Sequence, residues 1–259
     1  MELVDTHCHV HSTDYPLAAD KVVDEARSSG VTKLICVGTT LEDSREAVNF
    51  AQKRQQTWAS IGLHPHEAKD YIKGKDLNKV KCQEFANLAD RPRVVAVGEC
   101  GLDYFYNHSP KEAQLAILKF QVELALEHKL PLIFHVREAF ADFWPVFDAY
   151  SGVRGVIHSF SATEKELTEI LKRNLYVGLN GIATFAKNET QLAAVRAVPL
   201  DRLVLETDAP YLTPIPYRGT INEPKYVRVI AEFLANLRNE SFDKLAVATT
   251  KNAHLLFGI

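Results

Sequence analysis

Apolar positions recur along the chain with two alternating periods. Short runs rich in Val, Ile and Leu are typical of buried β-strands. Between them lie longer stretches in which apolar residues recur at three- and four-residue steps, as on one face of an amphipathic helix. In the stretch from Glu112 to His128, for example, Leu115, Leu118 and Val122 follow the helical spacing. The pattern therefore predicts a chain of repeated β–α units.

The pattern predicts a strand at the start of each unit and a helix after it. The predicted strands are Leu3–His7, Lys33–Val37, Trp58–Ile61, Val94–Val97, Leu132–Phe134, Gly155–Ile157, Tyr176–Gly178 and Leu203–Glu206. The predicted helices cover residues 18–29, 41–54, 76–89, 111–128, 138–149, 163–173, 188–197 and 223–237, and a last helix covers 242–256. Boundary signals agree, because Gly30 and Gly152 come just past helix ends and Thr163 with Glu166 forms a capping-box pair.

Strands that alternate with helices favour an α/β fold, a single (β/α)8 TIM-like barrel, with a doubly wound open sheet as the alternative. The chain has 259 residues, close to the roughly 250 residues of a typical barrel. Length alone also allows two small domains, since one domain takes about 150 residues. No linker-like segment divides the chain, so one domain over residues 1–259 is expected.

Composition and charge restrict the class of protein. With 46% hydrophobic and 24% charged residues the chain is an ordinary globular sequence. Its net charge of −3 provides no global positive field, so a nucleic acid, if it is the substrate, must be bound at one local site. The N-terminus lacks the pattern of a signal peptide, and no apolar run approaches the roughly 18 residues of a membrane span.

Cysteine usage indicates the compartment. The four cysteines are Cys8, Cys36, Cys82 and Cys100. They are scattered without a C-x-x-C pair, which argues against a zinc ribbon or a disulfide scaffold. We therefore expect a cytoplasmic protein with reduced thiols and no membrane association, present as a monomer or weak oligomer.

Ionisable residues gather where the predicted strands end. Residues i and i+2 share one face of a strand, so Asp5, His7 and His9 point the same way if the strand geometry persists. The same spacing pairs His64 with His66, Glu99 with Gly101, His135 with Arg137, His158 with Phe160, and Glu206 with Asp208. Barrel enzymes build their active sites at the C-terminal ends of the strands, so these side chains are expected to meet in one cavity.

Buried imidazoles and carboxylates need a compensating partner, and a metal ion is the natural one. The six candidate ligands are His7, His9, Glu99, His135, His158 and Asp208. One metal with an open position needs only three protein ligands, whereas six with a bridging carboxylate fit two ions about 3.5–4 Å apart. Glu99 is placed to bridge an ion held by His7 and His9 and an ion held by His135 and His158.

A metal pair of this kind lowers the pKa of water from 15.7 to about 7, which indicates metal-assisted hydrolysis. The bond could be a phosphoester, an amide or a lactone. Imidazole ligands suit Zn, Mn, Co, Ni or Fe, and carboxylates suit Mg and Mn as well. Asp208 completes the shell of one ion or takes a proton from the bound water.

Other residues are candidates for catalytic support. His64 is a candidate general acid or anion contact, with a loop cap as the structural alternative. Glu206 and Asp103 are candidates to orient ligand imidazoles. For substrate binding, Arg137 could contact a phosphate or pair with a neighbouring acid, and Arg218 could contact a backbone phosphate. Tyr104, with the two aromatic residues after it, could stack on nucleobases or form a packed loop.

Five motifs together resemble the TatD family of metal-dependent deoxyribonucleases, in the order of that family. They are Val4-Asp5-Thr6-His7-Cys8-His9, Gly62-Leu63-His64-Pro65-His66, Gly98-Glu99-Cys100-Gly101-Leu102-Asp103-Tyr104, His158-Ser159-Phe160-Ser161 and Glu206-Thr207-Asp208-Ala209-Pro210. The loop from Arg218 to Pro224 is similar as well. The resemblance extends over nearly the whole chain.

The resemblance implies a barrel of the amidohydrolase type with two divalent cations, Mg, Mn or Zn. It assigns His7, His9, Glu99 and Asp208 to one ion, and Glu99, His135 and His158 to the other. The implied activity is hydrolysis of DNA phosphodiester bonds by a 3'-5' exonuclease. A hydrolase of a small phosphoester, lactone or cyclic amide on the same two-metal barrel is the alternative.

Overall fold

A computed structural model describes residues 1–74 and 76–259 of the protein, in which strands and helices alternate along the chain. The strands are β1 (Leu3–Cys8), β2 (Val31–Val37), β3 (Thr57–Ile61), β4 (Ile72–Lys73), β5 (Asp76–Leu77), β6 (Val94–Asp103), β7 (Leu132–Arg137), β8 (Gly155–Ile157), β9 (Tyr176–Leu179) and β10 (Leu203–Leu205). The α-helices are α1 (Ala19–Ser28), α2 (Leu41–Gln52), α3 (Lys79–Ala86), α4 (Lys111–Glu127), α5 (Phe140–Asp148), α6 (Glu164–Lys172), α7 (Ile182–Phe185), α8 (Glu189–Ala197), α9 (Val227–Arg238) and α10 (Phe242–Phe257).

Each predicted strand and helix corresponds to an observed element; the ends of β8 are as predicted, and most other elements have at least one shifted end. The predicted signals at the helix ends are confirmed as well. Thr163 and Glu166 form a capping box at the start of α6, and Gly30 and Gly152 have φ angles of +87° and +81°. The sequence did not predict the short antiparallel pair of β4 and β5, the 3-10 helix Pro65–Tyr71 or α7. These elements are too short to show a hydrophobic period.

The chain divides into two compact units. The first unit consists of Met1–Cys36 and Ile157–Ile259. In it β1 pairs with β2, and β9 pairs with β10, in both cases in parallel. The closing helix α10 packs against β1 and β10 and covers their apolar side chains. The expectation that residues 1–259 form a single domain stays a prediction.

The second unit consists of Val37–Val156. Its sheet has β6 between β3 and β7, and all three strands run in parallel. Helix α2 packs against β3, and α4 packs against β6. Its core contains Phe85, Phe134 and Phe143, whose side chains are fully buried.

Two strands of the second unit extend further than the sequence pattern predicts. β6 continues to Asp103 instead of ending at Val97, and β7 continues to Arg137 instead of Phe134. The continuation depends on glycine: a Cβ at Gly101 would lie 1.9 Å from the carbonyl oxygen of His135. Glycine-rich sequence normally indicates a turn, whereas here it allows two strands to approach closely.

Glu99 and His135 therefore lie within strands and not beyond their ends. All four cysteines are buried free thiols. Across residues 1–74 and 76–259, no helix combines the length and the apolar character needed to cross a bilayer.

Candidate active site

The first unit contains a cluster of four ionisable side chains, which we call the first cluster: His7, His9, His158 and Asp208. Oδ1 of Asp208 lies 3.5 Å from Nε2 of His7, 3.3 Å from Nε2 of His9 and 4.0 Å from Nε2 of His158. The rings of His7 and His158 stack with centroids 3.6 Å apart. Ligand atoms of His7, His9 and Asp208 all lie within 4.8 Å of one another.

The backbone explains why residues remote in sequence meet here. The N–H of Asp208 donates to the carbonyl of His7 at 2.8 Å, and the N–H of His9 donates to the carbonyl of Ala209 at 2.8 Å. These two bonds form a parallel bridge between the end of β1 and the segment that follows β10. Asp208 has a φ of +62°, a left-handed conformation that turns its carboxylate toward the imidazoles.

The buried carboxylate of Asp5 stabilises this junction between β1 and the segment that carries Asp208. Asp5 is fully buried and accepts hydrogen bonds from the backbone N–H of His7 at 3.2 Å and from both the N–H and the hydroxyl of Thr207. Burial raises the pKa of Asp5 well above its usual range, although the hydrogen bonds from Thr207 and His7 oppose that rise. Asp5 thus ties β1 to the segment that carries Asp208.

Glu206 has a similar supporting position. It accepts a hydrogen bond from the N–H of Ser159 at 2.6 Å, and its Oε1 lies 3.0 Å from Nδ1 of His158. There is room for it only because residue 178 is glycine, since a Cβ there would lie 2.4 Å from Oε2 of Glu206. The contact fits the predicted role of orienting an imidazole.

The charge state of Asp208 follows from its neighbours. Burial raises the pKa of this carboxyl, but the hydrogen bond from His9 and the positive charge available on His158 and His7 outweigh that effect. The net result is a pKa below the usual value, so Asp208 is ionised at neutral pH. An ionised carboxylate beside three imidazole nitrogens is a donor set that suits a divalent cation.

The second unit contains another group of possible ligands, which we call the second cluster: His64, Glu99 and His135. Oε1 of Glu99 lies 2.7 Å from Nδ1 of His135 and 3.6 Å from Nε2 of His64. One ligand atom of each residue lies within 4.8 Å of the others. Glu99 is buried, with only 5% of its surface exposed.

Asp103 anchors the second cluster. Its Oδ2 lies 2.9 Å from Nε2 of His135 and 3.0 Å from Nε2 of His66, and Gln114 accepts its backbone N–H at 2.8 Å. Burial raises the pKa of Asp103, but hydrogen bonds from His135 and the backbone of Tyr106 outweigh it and hold the pKa well below the usual range. The ionised carboxylate therefore directs the Nε2–H of His135 toward itself and leaves Nδ1 facing Glu99.

The sequence pattern did not identify His66 as a site residue, although His66 lies two positions after His64 and would share a strand face with it. The reason is local structure. Residues Pro65–Tyr71 form a 3-10 helix, so strand alternation does not describe where His66 points. Its tie to Asp103 depends on a contact across 37 positions of sequence, which no local period reveals.

Replacing Asp103 by Asn is expected to lower the metal affinity of the protein about 10- to 100-fold, because the amide loses the charge that fixes His135 and His66. Titration calorimetry with Mn²⁺ on the metal-stripped protein measures the change. Asp90→Asn is the matched control, since Asp90 pairs with His128 at 2.8 Å on the surface. Equal affinity in all three proteins would leave Asp103 with no influence on metal binding.

The surroundings of His64 determine its protonation state. Its Nδ1 accepts the backbone N–H of His66 at 3.2 Å, so the ring proton is on Nε2. Burial lowers the pKa of His64 to about 4, although Glu99 opposes that shift. The side chain is therefore neutral at pH 7.

This shift predicts a pH dependence of stability for the metal-free protein. As the pH falls from about 6.5 toward 4, the unfolded chain protonates His64 but the folded protein does not, so the free energy of unfolding decreases. At pH 5 the loss from this residue is about 2 kcal/mol. Urea unfolding at pH 7 and pH 5 should show a smaller loss in His64→Gln than in the wild type. His108→Gln, in which an exposed imidazole is replaced, is the control, and an unchanged loss in His64→Gln would contradict the shift.

The predicted substrate contacts lie in different environments. Arg137 is exposed, and its guanidinium lies over the rings of Phe105 and Tyr106. Tyr104 is only partly exposed, because its hydroxyl donates to Asp142 at 2.9 Å and Lys111 lies 3.9 Å from its ring centroid. Arg218 donates to the carbonyl of Thr213 at 3.0 Å and stacks on Phe185. Their binding roles stay predictions.

Comparison with known proteins identifies the family. The model of TatD related DNases matches residues 4–258. The chain belongs to the TatD related DNase family. The uncharacterized metal-dependent hydrolase YabD of Bacillus subtilis is 35% identical over 259 residues, which cover 99% of each chain. The protein named 3'-5' ssDNA/RNA exonuclease TatD of Citrobacter rodentium is 33% identical over 99% of this chain and 98% of its own length.

A solved structure supports the same assignment. YJJV, a TatD homologue of Escherichia coli K12, superposes with a TM-score of 0.90 at 27% identity and covers 99% of this chain and 98% of its own. The predicted fold class is thereby confirmed: this TatD protein has the α/β barrel fold. It is a metal-dependent hydrolase of the TatD family.

Proposed function

We propose that this protein is a deoxyribonuclease that removes nucleotides from the 3' end of single-stranded DNA with the help of two divalent cations. The observation that carries the proposal is the pair of imidazole–carboxylate clusters, in each of which atoms of three side chains lie within 4.8 Å of one another. The name of the Citrobacter relative supports the polarity and the single-stranded substrate.

The donor set of each cluster suits a divalent cation. The first cluster offers Nε2 of His7, Nε2 of His9 and Oδ1 of Asp208. The second offers Nδ1 of His135 and Oε1 of Glu99. Neutral imidazole and carboxylate are the ligands of Mn and Zn, and carboxylate also suits Mg. The sharing of Glu99 between two ions and the assignment of His158 remain parts of the proposal that rest on the sequence resemblance.

A bound cation supplies Lewis acidity at the phosphate and a water of lowered pKa. The side chains supply the rest. Asp208, ionised at neutral pH, accepts the proton of the attacking water on the carboxylate oxygen that does not hold the cation. Glu206 and Asp103 keep His158 and His135 in one orientation through the contacts described above.

His64 acts in this proposal as a hydrogen-bond donor and not as a proton donor. It is neutral at pH 7 because burial lowers its pKa to about 4, and its proton is on Nε2, 3.6 Å from Glu99. A neutral imidazole N–H can hold the carboxylate or a phosphate oxygen but is a weak acid for a leaving group. This refines the role of general acid that the sequence suggested.

The proposal is tested with metal-stripped protein that is re-supplied with Mg²⁺, Mn²⁺ or Zn²⁺. Single-stranded DNA carrying a label at the 5' end should shorten one nucleotide at a time, whereas a label at the 3' end should be released at once. Glu84→Gln, on the surface and paired with Arg45, is the control for general effects of acid removal. A protein that binds metal but leaves DNA intact, and instead cleaves a lactone or a small phosphomonoester, would overturn the proposal.

A further inference from the structure

Two large aromatic side chains stand in solvent directly after β6. Phe105 and Tyr106 are 51% and 50% exposed. Their rings are perpendicular, with centroids 4.9 Å apart. The guanidinium of Arg137 lies over both rings, 4.1 Å from the centroid of Phe105 and 4.7 Å from that of Tyr106. We call these three side chains the aromatic platform.

The guanidinium of Arg137 has no counter-ion among residues 1–74 and 76–259. In the described part of the chain, no carboxylate lies within 4.0 Å of the guanidinium of Arg137, and its N–H groups donate no hydrogen bond. An arginine that stacks on rings keeps its N–H fork available at the edge. The platform therefore combines apolar ring faces with a positive charge and several hydrogen-bond donors, all accessible from solvent.

The platform is held rigidly, and the same carboxylate holds the second cluster. Oδ1 of Asp103 accepts the backbone N–H groups of Phe105 and Tyr106, both at 3.0 Å, while Oδ2 faces His135 at 2.9 Å. The N–H of Tyr104 donates to the carbonyl of Arg137 at 3.0 Å, which ties the platform to β7. Ring positions are thus fixed relative to the Glu99–His135 pair.

One side of the ring of Tyr106 is already supported. The ring of His108 lies parallel to it, at an interplanar angle of 7° and a centroid distance of 5.8 Å. The ring of His66 meets it edge-on at 5.5 Å. Flat rings that are packed on one side and exposed overall can take one further flat partner without rearranging.

We propose that the aromatic platform binds single-stranded nucleic acid: a nucleobase stacks on Tyr106 or Phe105, and a backbone phosphate accepts hydrogen bonds from Arg137. The inference rests on the proposed nuclease function and adds where the strand is bound. Aromatic faces stack on any base, and a guanidinium fork matches a phosphate. Because bases in a duplex are covered by their neighbours, the platform selects unpaired ends.

Binding of fluorescein-labelled deca-thymidylate in the presence of Ca²⁺, measured by fluorescence anisotropy, tests the proposal. The double variant Phe105→Leu/Tyr106→Leu is expected to raise the Kd about 10-fold or more. Arg137→Ala is expected to raise it to a similar degree and to reduce its salt dependence. The matched control is Arg93→Ala, because Arg93 lies 5.4 Å from the ring of Trp58 at the start of β3, the end of the strand remote from His64.

A decamer whose bases are removed distinguishes stacking from a general structural effect. Wild type should bind this abasic strand more weakly, and the double variant should bind both strands alike. Ribonucleotide strands serve as a second arm. If the double variant binds deca-thymidylate within twofold of wild type, or if wild type binds the abasic strand equally well, the platform does not bind bases.

Cleavage assays separate this inference from the proposed function. The KM for DNA should rise more in the double variant than the KM for methyl p-nitrophenyl phosphate, which has no base. Wild-type protein that binds the strand through the platform but never cleaves it would refute the nuclease and leave the platform standing. A nuclease whose KM for DNA is unchanged in the double variant would refute the platform alone.

Discussion

Glu99→Gln is expected to abolish metal-dependent hydrolysis, with a fall in kcat of about 10³-fold or more. The carboxylate is buried, and its Oε1 faces both His135 and His64. An amide of the same size keeps the packing but loses the negative charge that a divalent cation requires. Metal ions contribute several kcal/mol of transition-state stabilisation, and each 1.36 kcal/mol is a tenfold change in rate.

The same variant tests the predicted bridging role through metal content. Mass spectrometry of the metal-loaded protein should find less than the wild-type number of ions per chain in Glu99→Gln. Glu84→Gln, a surface substitution of the same kind, should keep both the ions and the activity. If Glu99→Gln keeps wild-type metal content and affinity, Glu99 does not bridge, whatever happens to its turnover.

Asp208→Asn is expected to lower kcat about 10²- to 10³-fold while the Kd for DNA changes much less. Asp208 brings together the three imidazoles of the first cluster on Oδ1, and its lowered pKa keeps it available as a proton acceptor. The amide of Asn cannot accept that proton. General base catalysis is worth about 10²- to 10⁴-fold, and weaker metal binding adds to the loss.

Measuring kcat and the Kd for DNA separately decides whether Asp208 acts in the chemical step. The control is Asp201→Asn, which removes an exposed carboxylate in the same unit. Equal losses in turnover and in strand binding would assign Asp208 a structural role. Adding excess Mn²⁺ distinguishes weaker metal binding from loss of the base. A high Mn²⁺ concentration restores activity that was lost through weak metal binding, but it does not restore activity that was lost with the base.

Several features of the site could be predicted from the sequence. The period of two and the apolar strands place His7 and His9 on one face, and the motif at Asp208 lies after the last strand of the pattern. The structure does bring these three side chains within reach of one cation. Strand alternation is a local property, so short stretches of sequence are sufficient to predict it.

Other features could not be predicted from the sequence, for physical reasons. The sequence predicted that Tyr104, Phe105 and Tyr106 could stack on bases but did not show which rings are exposed. Asp142 and Lys111 hold Tyr104, whereas Phe105 and Tyr106 are exposed to solvent. Likewise the strand predicted to end at Val97 continues to Asp103, because the glycine at 101 allows β6 to run close beside β7. Each outcome depends on a partner that is distant along the chain.

The sequence by itself determined the β–α alternation, the positions of most helix ends and the residue types that follow each strand, since all of these depend on neighbours a few positions apart. Only the tertiary structure decided which imidazole meets which carboxylate. The contact of Asp5 with Thr207 joins residues 202 positions apart, and Glu206 fits only because residue 178 lacks a side chain. Such contacts depend on strand register and packing over the whole fold, which no local pattern encodes.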